Sequence, residues 1–333
     1  MQLRFLKLHV LFIMSATILW PVAAEAVSCT MQSQMKPADR SVYEQAARSL
    51  GSDIQAANVA AVRADTVAPV AAQFDSLANT IQQVSPKIQK ATLTVDALYN
   101  LNAQDLGAGA EQADFFCGES GSRVIAITIP RLPPGNYVGA VLHATGVEQP
   151  QQLSLILQND PAGSANWKLA GLFVRPLTVN GHDGVWFWTQ AREFATKKQN
   201  WNAYFYYQQA AFLLNPADFF SSPNLEKLQK EMQTVKPAEL PGQNSLTVNV
   251  GGQSLEITRL RTENFQGGLD LVVDYKAKGV SDPVATRTQI VELMKAILAQ
   301  HSELRTGFHG LWVYAYNNSG QPFAIELPMN QIQ

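Results

Sequence analysis

From residue 38 to 90 the apolar positions recur every three or four residues. Val42, Ala46 and Leu50 precede Gly51, Ile54, Ala57, Ala61 and Val62 follow it, and Phe74, Leu77, Ile81 and Val84 come after Pro69. This spacing predicts helices. Residues 91–102, with Leu93, Val95 and Leu98, fit a short strand or a turn of helix; residues 104–121, rich in Gly, Ala and acid, predict a loop. The period then becomes two. Ile125, Ile127 and Ile129 alternate with Ala126 and Thr128, and residues 136–145 continue after Pro133-Pro134-Gly135. Leu153, Leu155 and Leu157 precede Asp160-Pro161-Ala162-Gly163, and residues 167–174 follow. Four strands with short turns predict an antiparallel meander, covered on one face by the preceding helices, hence an α+β domain.

Residues 183–233 return to a helical pattern, ending in a short helix with Leu225, Leu228 and Met232; residues 237–243 read as a Pro/Gly linker. Beyond it Leu246, Val248 and Val250, then Leu255 and Ile257, then Leu269, Leu271, Val273 and Tyr275 alternate as strands, with turns at Gly251-Gly252 and Gly267-Gly268. Pro283 opens a helix with the face Ile290, Met294, Ile297 and His301. Residues 311–316 and 323–327 form a closing hairpin across Asn317-Asn318-Ser319-Gly320. The expectation is a small α+β sheet with one helix across it. Asp270 and Asp274 fall opposite Leu271 and Val273, where a solvated edge is expected.

Two family resemblances refine this picture. Phe187, Ala191, Phe194, Trp201, Ala203, Tyr207, Ala210 and Pro216 resemble one tetratricopeptide repeat over residues ~184–216, although Thr189-Gln190 replaces its usual Leu-Gly and one residue is inserted before Pro216. The resemblance implies a helix-turn-helix hairpin with Ala191, Ala203 and Ala210 where its helices approach. A lone repeat cannot bury its own apolar face, so it must rest on a neighbouring domain or a partner. The preceding unit, closing on Trp167-Lys168-Leu169-Ala170-Gly171, loosely resembles the cone-shaped nuclear-transport-factor-two-like fold, which hosts enzymes, ligand binders and scaffolds alike. The organisation expected is therefore a leader (residues 1–26), an α+β domain (27–178), a tetratricopeptide-like hairpin with a capping helix (179–236) and a C-terminal α+β domain (243–333).

The leader rests on Arg4 and Lys7, an apolar run over residues 10–20, the breaker Pro21, and Ala24-Glu25-Ala26, with cleavage expected before Val27. The run is too short to span a bilayer, so no transmembrane segment is expected after cleavage. The two cysteines, Cys29 and Cys117, survive cleavage, and an even count in an exported chain suggests a disulfide. Ala26-Val27-Ser28-Cys29 also resembles a lipobox, which implies the alternative of a lipoprotein anchored through Cys29.

Candidate chemistry is sparse. Asn180-Gly181-His182-Asp183-Gly184 could set a general base beside its orienter, or Asp183 could cap the following helix. Gly118-Glu119-Ser120-Gly121-Ser122 resembles a nucleophile elbow but has Ser122 where its second glycine belongs. His143, His301 and His309 have no second ligand at zinc spacing, and neither a phosphate loop nor a dinucleotide fingerprint occurs. No catalytic set, metal or cofactor is expected. Trp186, Trp188, Trp201, Tyr204, Phe205, Tyr206 and Tyr207 fall within 22 residues. Trp186, Trp188, Trp201, Tyr204 and Tyr206 are accordingly the candidate interaction surface for a protein or peptide partner, or else contacts with the flanking domains.

Charged residues make up 16% of the chain, against about 25% in typical domains, and the net charge is −2. That balance offers nucleic acid no basic excess. The expected class is a non-catalytic binding or scaffold protein of the bacterial periplasm or cell envelope, with an envelope hydrolase centred on His182 and Asp183 as the alternative.

Overall fold

The structure, a computed structural model, describes residues 27–118, 124–160, 166–242, 244–265, 267–317 and 321–333. The expected leader, residues 119–122 of the elbow-like run, residues 161–163 of one turn and residues 318–320 of another lie outside them.

Strand β1 (Ser28–Met31) runs antiparallel along one edge of β2 (Thr92–Asn102). Between them lie helices α1 (Pro37–Gln55), α2 (Val59–Ala64), α3 (Ala68–Ala71) and α4 (Asp75–Ile88). Pro37 begins α1, where its missing N–H would have no intrahelical acceptor anyway. Strands β3 (Gln112–Cys117), β4 (Ile125–Pro130), β5 (Asn136–Thr145), β6 (Gln151–Asn159) and β7 (Trp167–Pro176) follow. The main sheet has the order β1-β2-β5-β6-β7.

Alternation along β5 sorts its residues between two cores. Val138, Ala140, Leu142 and Ala144 meet Ala47, Leu50 and Ile54 of α1 and Ile81, Val84 and Ile88 of α4. A Cβ on Gly51 would stand 2.9 Å from Leu142 Cδ2, so the glycine lets α1 lie close on the sheet. Tyr137 and Val141 face the other way, into a cluster with Phe115, Ile127 and Phe220.

That second cluster corrects the sequence expectation twice. Residues 104–121 are not all loop, because β3 pairs with β4. Nor does β4 join the meander; it sits in a three-stranded sheet between β3 and the short β10 (Phe220–Ser221). The place beside β5 is taken by β2, a full strand of 11 residues with ten paired positions. Cys29 on β1 and Cys117 on β3 form a disulfide that joins the two sheets across 88 residues of chain.

After the small ribbon of β8 (Thr178–Val179) and β9 (His182–Asp183) come α5 (Gly184–Thr196), α6 (Asn200–Leu214) and, past β10, α7 (Pro223–Thr234). Asp183 Oδ1 accepts the Trp186 N–H at 2.8 Å and caps α5. A side chain on Gly184 would collide with Leu214, 2.6 Å from its Cγ, so α5 starts against the end of α6 only because residue 184 is glycine.

The C-terminal unit comprises β11 (Leu246–Val250), β12 (Gln253–Phe265), β13 (Gly268–Lys276), α8 (Pro283–Gln300), α9 (Leu304–Gly307), β14 (Gly310–Tyr316) and β15 (Phe323–Pro328). Its strands lie in sequence order. Only β13 and β14 run parallel, as the α8 crossover between them requires. Leu271, Val273, Leu311 and Val313 on the inner face share one hydrophobic cluster with Leu293, Met294 and Ile297 of α8 and Phe187, Ala191, Ala203 and Ala210 of the hairpin. Hairpin and C-terminal sheet therefore have a common core. Among the described residues no helix is long and apolar enough to cross a membrane.

Candidate functional site

Strand alternation that turns Leu271 and Val273 inward turns Asp270, Val272 and Asp274 outward on β13, and puts Trp312, Tyr314 and Tyr316 on the same outer face of β14. Register on β12 adds Glu263 opposite Asp270, Arg261 opposite Val272 and Arg259 opposite Asp274. Glu326 on β15 lies opposite Trp312. This outer face is the candidate site.

Aromatic rings form a row along it. Phe265 meets Trp312 edge-on with centroids 4.7 Å apart; Trp312 and Tyr314 stack at 5.7 Å, and Tyr314 and Tyr316 at 6.1 Å. The rings roof β13, so Val272 is fully buried although it points outward. Beside them Arg259 Nε and Arg261 Nη1 each donate to Asp274 at 2.7 Å. The Arg261 guanidinium also lies over the Tyr314 ring, 5.3 Å from its centroid, a cation–π contact. Arg259 remains 61% exposed while Asp274 is 4% exposed, so the carboxylate is buried beneath its arginine partners.

At the opposite end of β13, Asp270 is wholly buried, and its Oδ1 lies 3.1 Å from His309 Nδ1. Glu326 stands beside this pair: one donor atom from each of the three residues falls within 4.8 Å of the others. Burial pushes the Asp270 carboxyl above the usual range against the opposing pull of His309. Burial raises Glu326 too, helped by the nearby Asp270 charge. The expectation of a solvated edge at Asp270 and Asp274 is thus overturned. β13 is the middle strand of five, and the side chains of its neighbours close over both carboxylates.

Among the described residues, those singled out from sequence do not assemble elsewhere. His182 stacks on Trp186 with centroids 3.7 Å apart, while Asp183 is engaged as the α5 cap. Asp183, without His182, borders a cleft of about 290 Å³ together with Asp96, His143 and Gln152. His301 lies against Trp201, centroids 4.0 Å apart. Of the hairpin aromatics, Trp201 and Tyr206 are buried, and Trp186, Trp188 and Tyr204 pack half-buried on the same core. Trp188 Nε1 donates to Glu231 Oε2 at 2.7 Å, and Tyr206 Oη to the Gly307 carbonyl at 2.7 Å. The rings of Trp201 and Tyr206 are thereby turned into the shared core.

Sequence reasoning named Asp270 and His309 separately and missed Glu326 and the ring row. A signal for the row was present: the alternation that makes Leu311, Val313 and Ala315 an inner face leaves Trp312, Tyr314 and Tyr316 as the other one. Comparisons of the chain with protein-family models, with curated proteins and with solved structures found no match.

Proposed function

We propose that this chain is an exported, non-catalytic binding protein of the bacterial cell envelope, and that the outer face of its C-terminal sheet holds an extended glycan. The carrying observation is the row Phe265–Trp312–Tyr314–Tyr316, flanked by Arg259, Arg261, Glu263 and Asp274 on the face opposite the shared core. Sugar rings present C–H faces that rest on aromatic rings, and hydroxyls that bond to guanidinium and carboxylate groups. A strand surface offering both, in register, suits a polyhydroxylated polymer. The half-exposed Glu263 and the exposed Arg259 guanidinium supply those polar contacts, while Asp274 stays buried beneath its arginines.

Export is supported by the leader pattern together with the Cys29–Cys117 bond, which is the chemistry of an oxidising compartment. With its sulfur in that bond, Cys29 has no thiol for an acyl chain. The hydrolase reading has no comparable support, since His182 and Asp183 are committed to Trp186 and to the helix cap.

The experiment is co-sedimentation of the purified mature chain with insoluble cell-wall glycan. Trp312→Ala and Tyr314→Ala should each weaken binding by roughly tenfold, the usual cost of truncating an aromatic anchor, with folding intact by circular dichroism. Native-like binding by both variants, or no binding by the native chain, rejects the reading.

A further inference from the structure

The Asp270–His309–Glu326 cluster lies at one end of the sheet face but stands independently of what binds the rings. Two carboxylates and one imidazole meet there, and among the described residues neither carboxylate is paired with a lysine or arginine. Asp270 Oδ2 and Glu326 Oε1 are buried with no hydrogen-bond donor. A carboxylate oxygen removed from water and left without a partner is costly, and the ordinary remedies are a proton, a donor or a cation.

The backbone is shaped to bring these groups together. A Cβ on Gly310 would sit 2.6 Å from Glu326 Oε1 and 3.2 Å from Asp270 Oδ1, and one on Gly268 would sit 2.3 Å from His309 Cβ. Both positions therefore need glycine if the three side chains are to converge. His309 is pinned through its main chain, with its N–H donating to the Leu269 carbonyl at 2.8 Å and its carbonyl accepting the Met329 N–H at 2.9 Å.

We propose that Asp270, His309 and Glu326 form a binding site for a divalent cation of the zinc class. One imidazole nitrogen with two carboxylate oxygens is a mixed N/O set, which favours first-row transition ions; calcium and magnesium prefer oxygen throughout. Two carboxylates balance a 2+ charge, and a cation chelated by both Asp270 oxygens and bound by Glu326 gives the buried Asp270 Oδ2 and Glu326 Oε1 a partner. Ligand bonds of about 2.0–2.2 Å set tetrahedral donor pairs roughly 3.3 Å apart. His309 Nδ1 and Asp270 Oδ1, hydrogen-bonded at 3.1 Å, stand near this spacing, so a cation would take the place of the proton between them, and one donor atom from each of the three residues lies within 4.8 Å of the others. The His309 side chain is 36% exposed, so the cluster can be reached from solvent.

The test uses the full mature chain, stripped with chelator, exposed to Zn²⁺ alone and desalted, with bound metal measured by elemental mass spectrometry and melting followed in parallel. The native chain should retain one Zn²⁺ and melt at a higher temperature with zinc than without. His309→Ala and Glu326→Gln should lower zinc affinity by at least about tenfold and abolish the thermal shift, and Glu326→Gln, which leaves the His309–Asp270 contact in place, should melt close to native without metal. His143→Ala and His182→Ala should bind as the native chain does. Tyr314→Ala, whose partner across β15 is Ala324, should keep its zinc, which separates this site from the glycan reading. The proposal is overturned if the native chain retains no stoichiometric zinc, as a cluster holding only a shared proton would behave. It is equally overturned if His309→Ala and Glu326→Gln bind zinc like the native chain, or if Ca²⁺ binds and Zn²⁺ does not.

Discussion

Arg261 places Nη1 2.7 Å from Asp274 Oδ1 while its guanidinium plane covers the Tyr314 ring, so one side chain ties the charged half of the sheet face to its aromatic half. Asp274 holds the middle strand's side of that contact from a nearly dry position. Asp274→Ala should destabilise the protein by about 1–3 kcal/mol, less than a fully buried pair costs because both arginines reach water. Urea unfolding of Asp274→Ala, Arg261→Ala and the double variant measures it; additive losses would mean the pair does not interact.

The disulfide closes a loop of 88 residues and joins two sheets whose side chains share one hydrophobic cluster. Removing it by Cys29→Ser/Cys117→Ser should cost about 2–5 kcal/mol, chiefly through the freer unfolded chain. Intact mass under non-reducing conditions should show the mature chain from Val27 two hydrogens lighter than its reduced form. A mass increased by lipid would contradict both the bond and the export route described here.

Tyr206 joins the hairpin to the C-terminal domain from inside their common core. Tyr206→Phe leaves the Gly307 carbonyl without its donor and should cost about 1–2 kcal/mol. Trp201→Ala, which empties ring volume beside His301, should cost about 3–5 kcal/mol. Both are read as shifts in the denaturation midpoint. If Trp201→Ala instead melted the hairpin while the C-terminal sheet stayed folded, the shared core would be refuted.

Burial pushes the phenols of Tyr137, Tyr206, Tyr207 and Tyr275 up to about 12 from an ordinary value of 10. A group whose pKa is higher folded than unfolded stabilises fully below the unfolded value and loses that contribution as pH rises through the folded one. Stability should therefore be flat with respect to these groups below pH 10 and fall between 10 and about 12. Tyr206→Phe should make that alkaline fall shallower; an unchanged slope would show that its phenol titrates as in the unfolded chain.

Much of the fold could be read from periodicity. Period two located β5, β6, β7 and β11 to β15, and the spacing of Leu77, Ile81 and Val84 located α4. Pairing partners were less accessible. β3 hid in a stretch whose Gly, Ala and acid content masks the alternation of Ala113, Phe115 and Cys117, and without β3 nothing drew β4 out of the meander. The site was less accessible still. Asp270, His309 and Glu326 come from two strands and a turn, spread over 57 positions, and no local spacing joins them. What joins them is the register of β13, β14 and β15, which the hydrophobic pattern leaves open until the strand order is known. The burial of Asp270 likewise depends on β13 being the middle strand rather than an edge.

Hydroxyl-radical footprinting of the native chain, with and without cell-wall glycan, tests the sheet face most directly, because Trp186 and Trp188 on the hairpin serve as controls in the same molecule. Protection of Trp312, Tyr314 and Tyr316 with unchanged oxidation of Trp186 and Trp188 is the expected result. Protection confined to the hairpin tryptophans, with the β14 rings oxidised as in the free chain, would contradict the account.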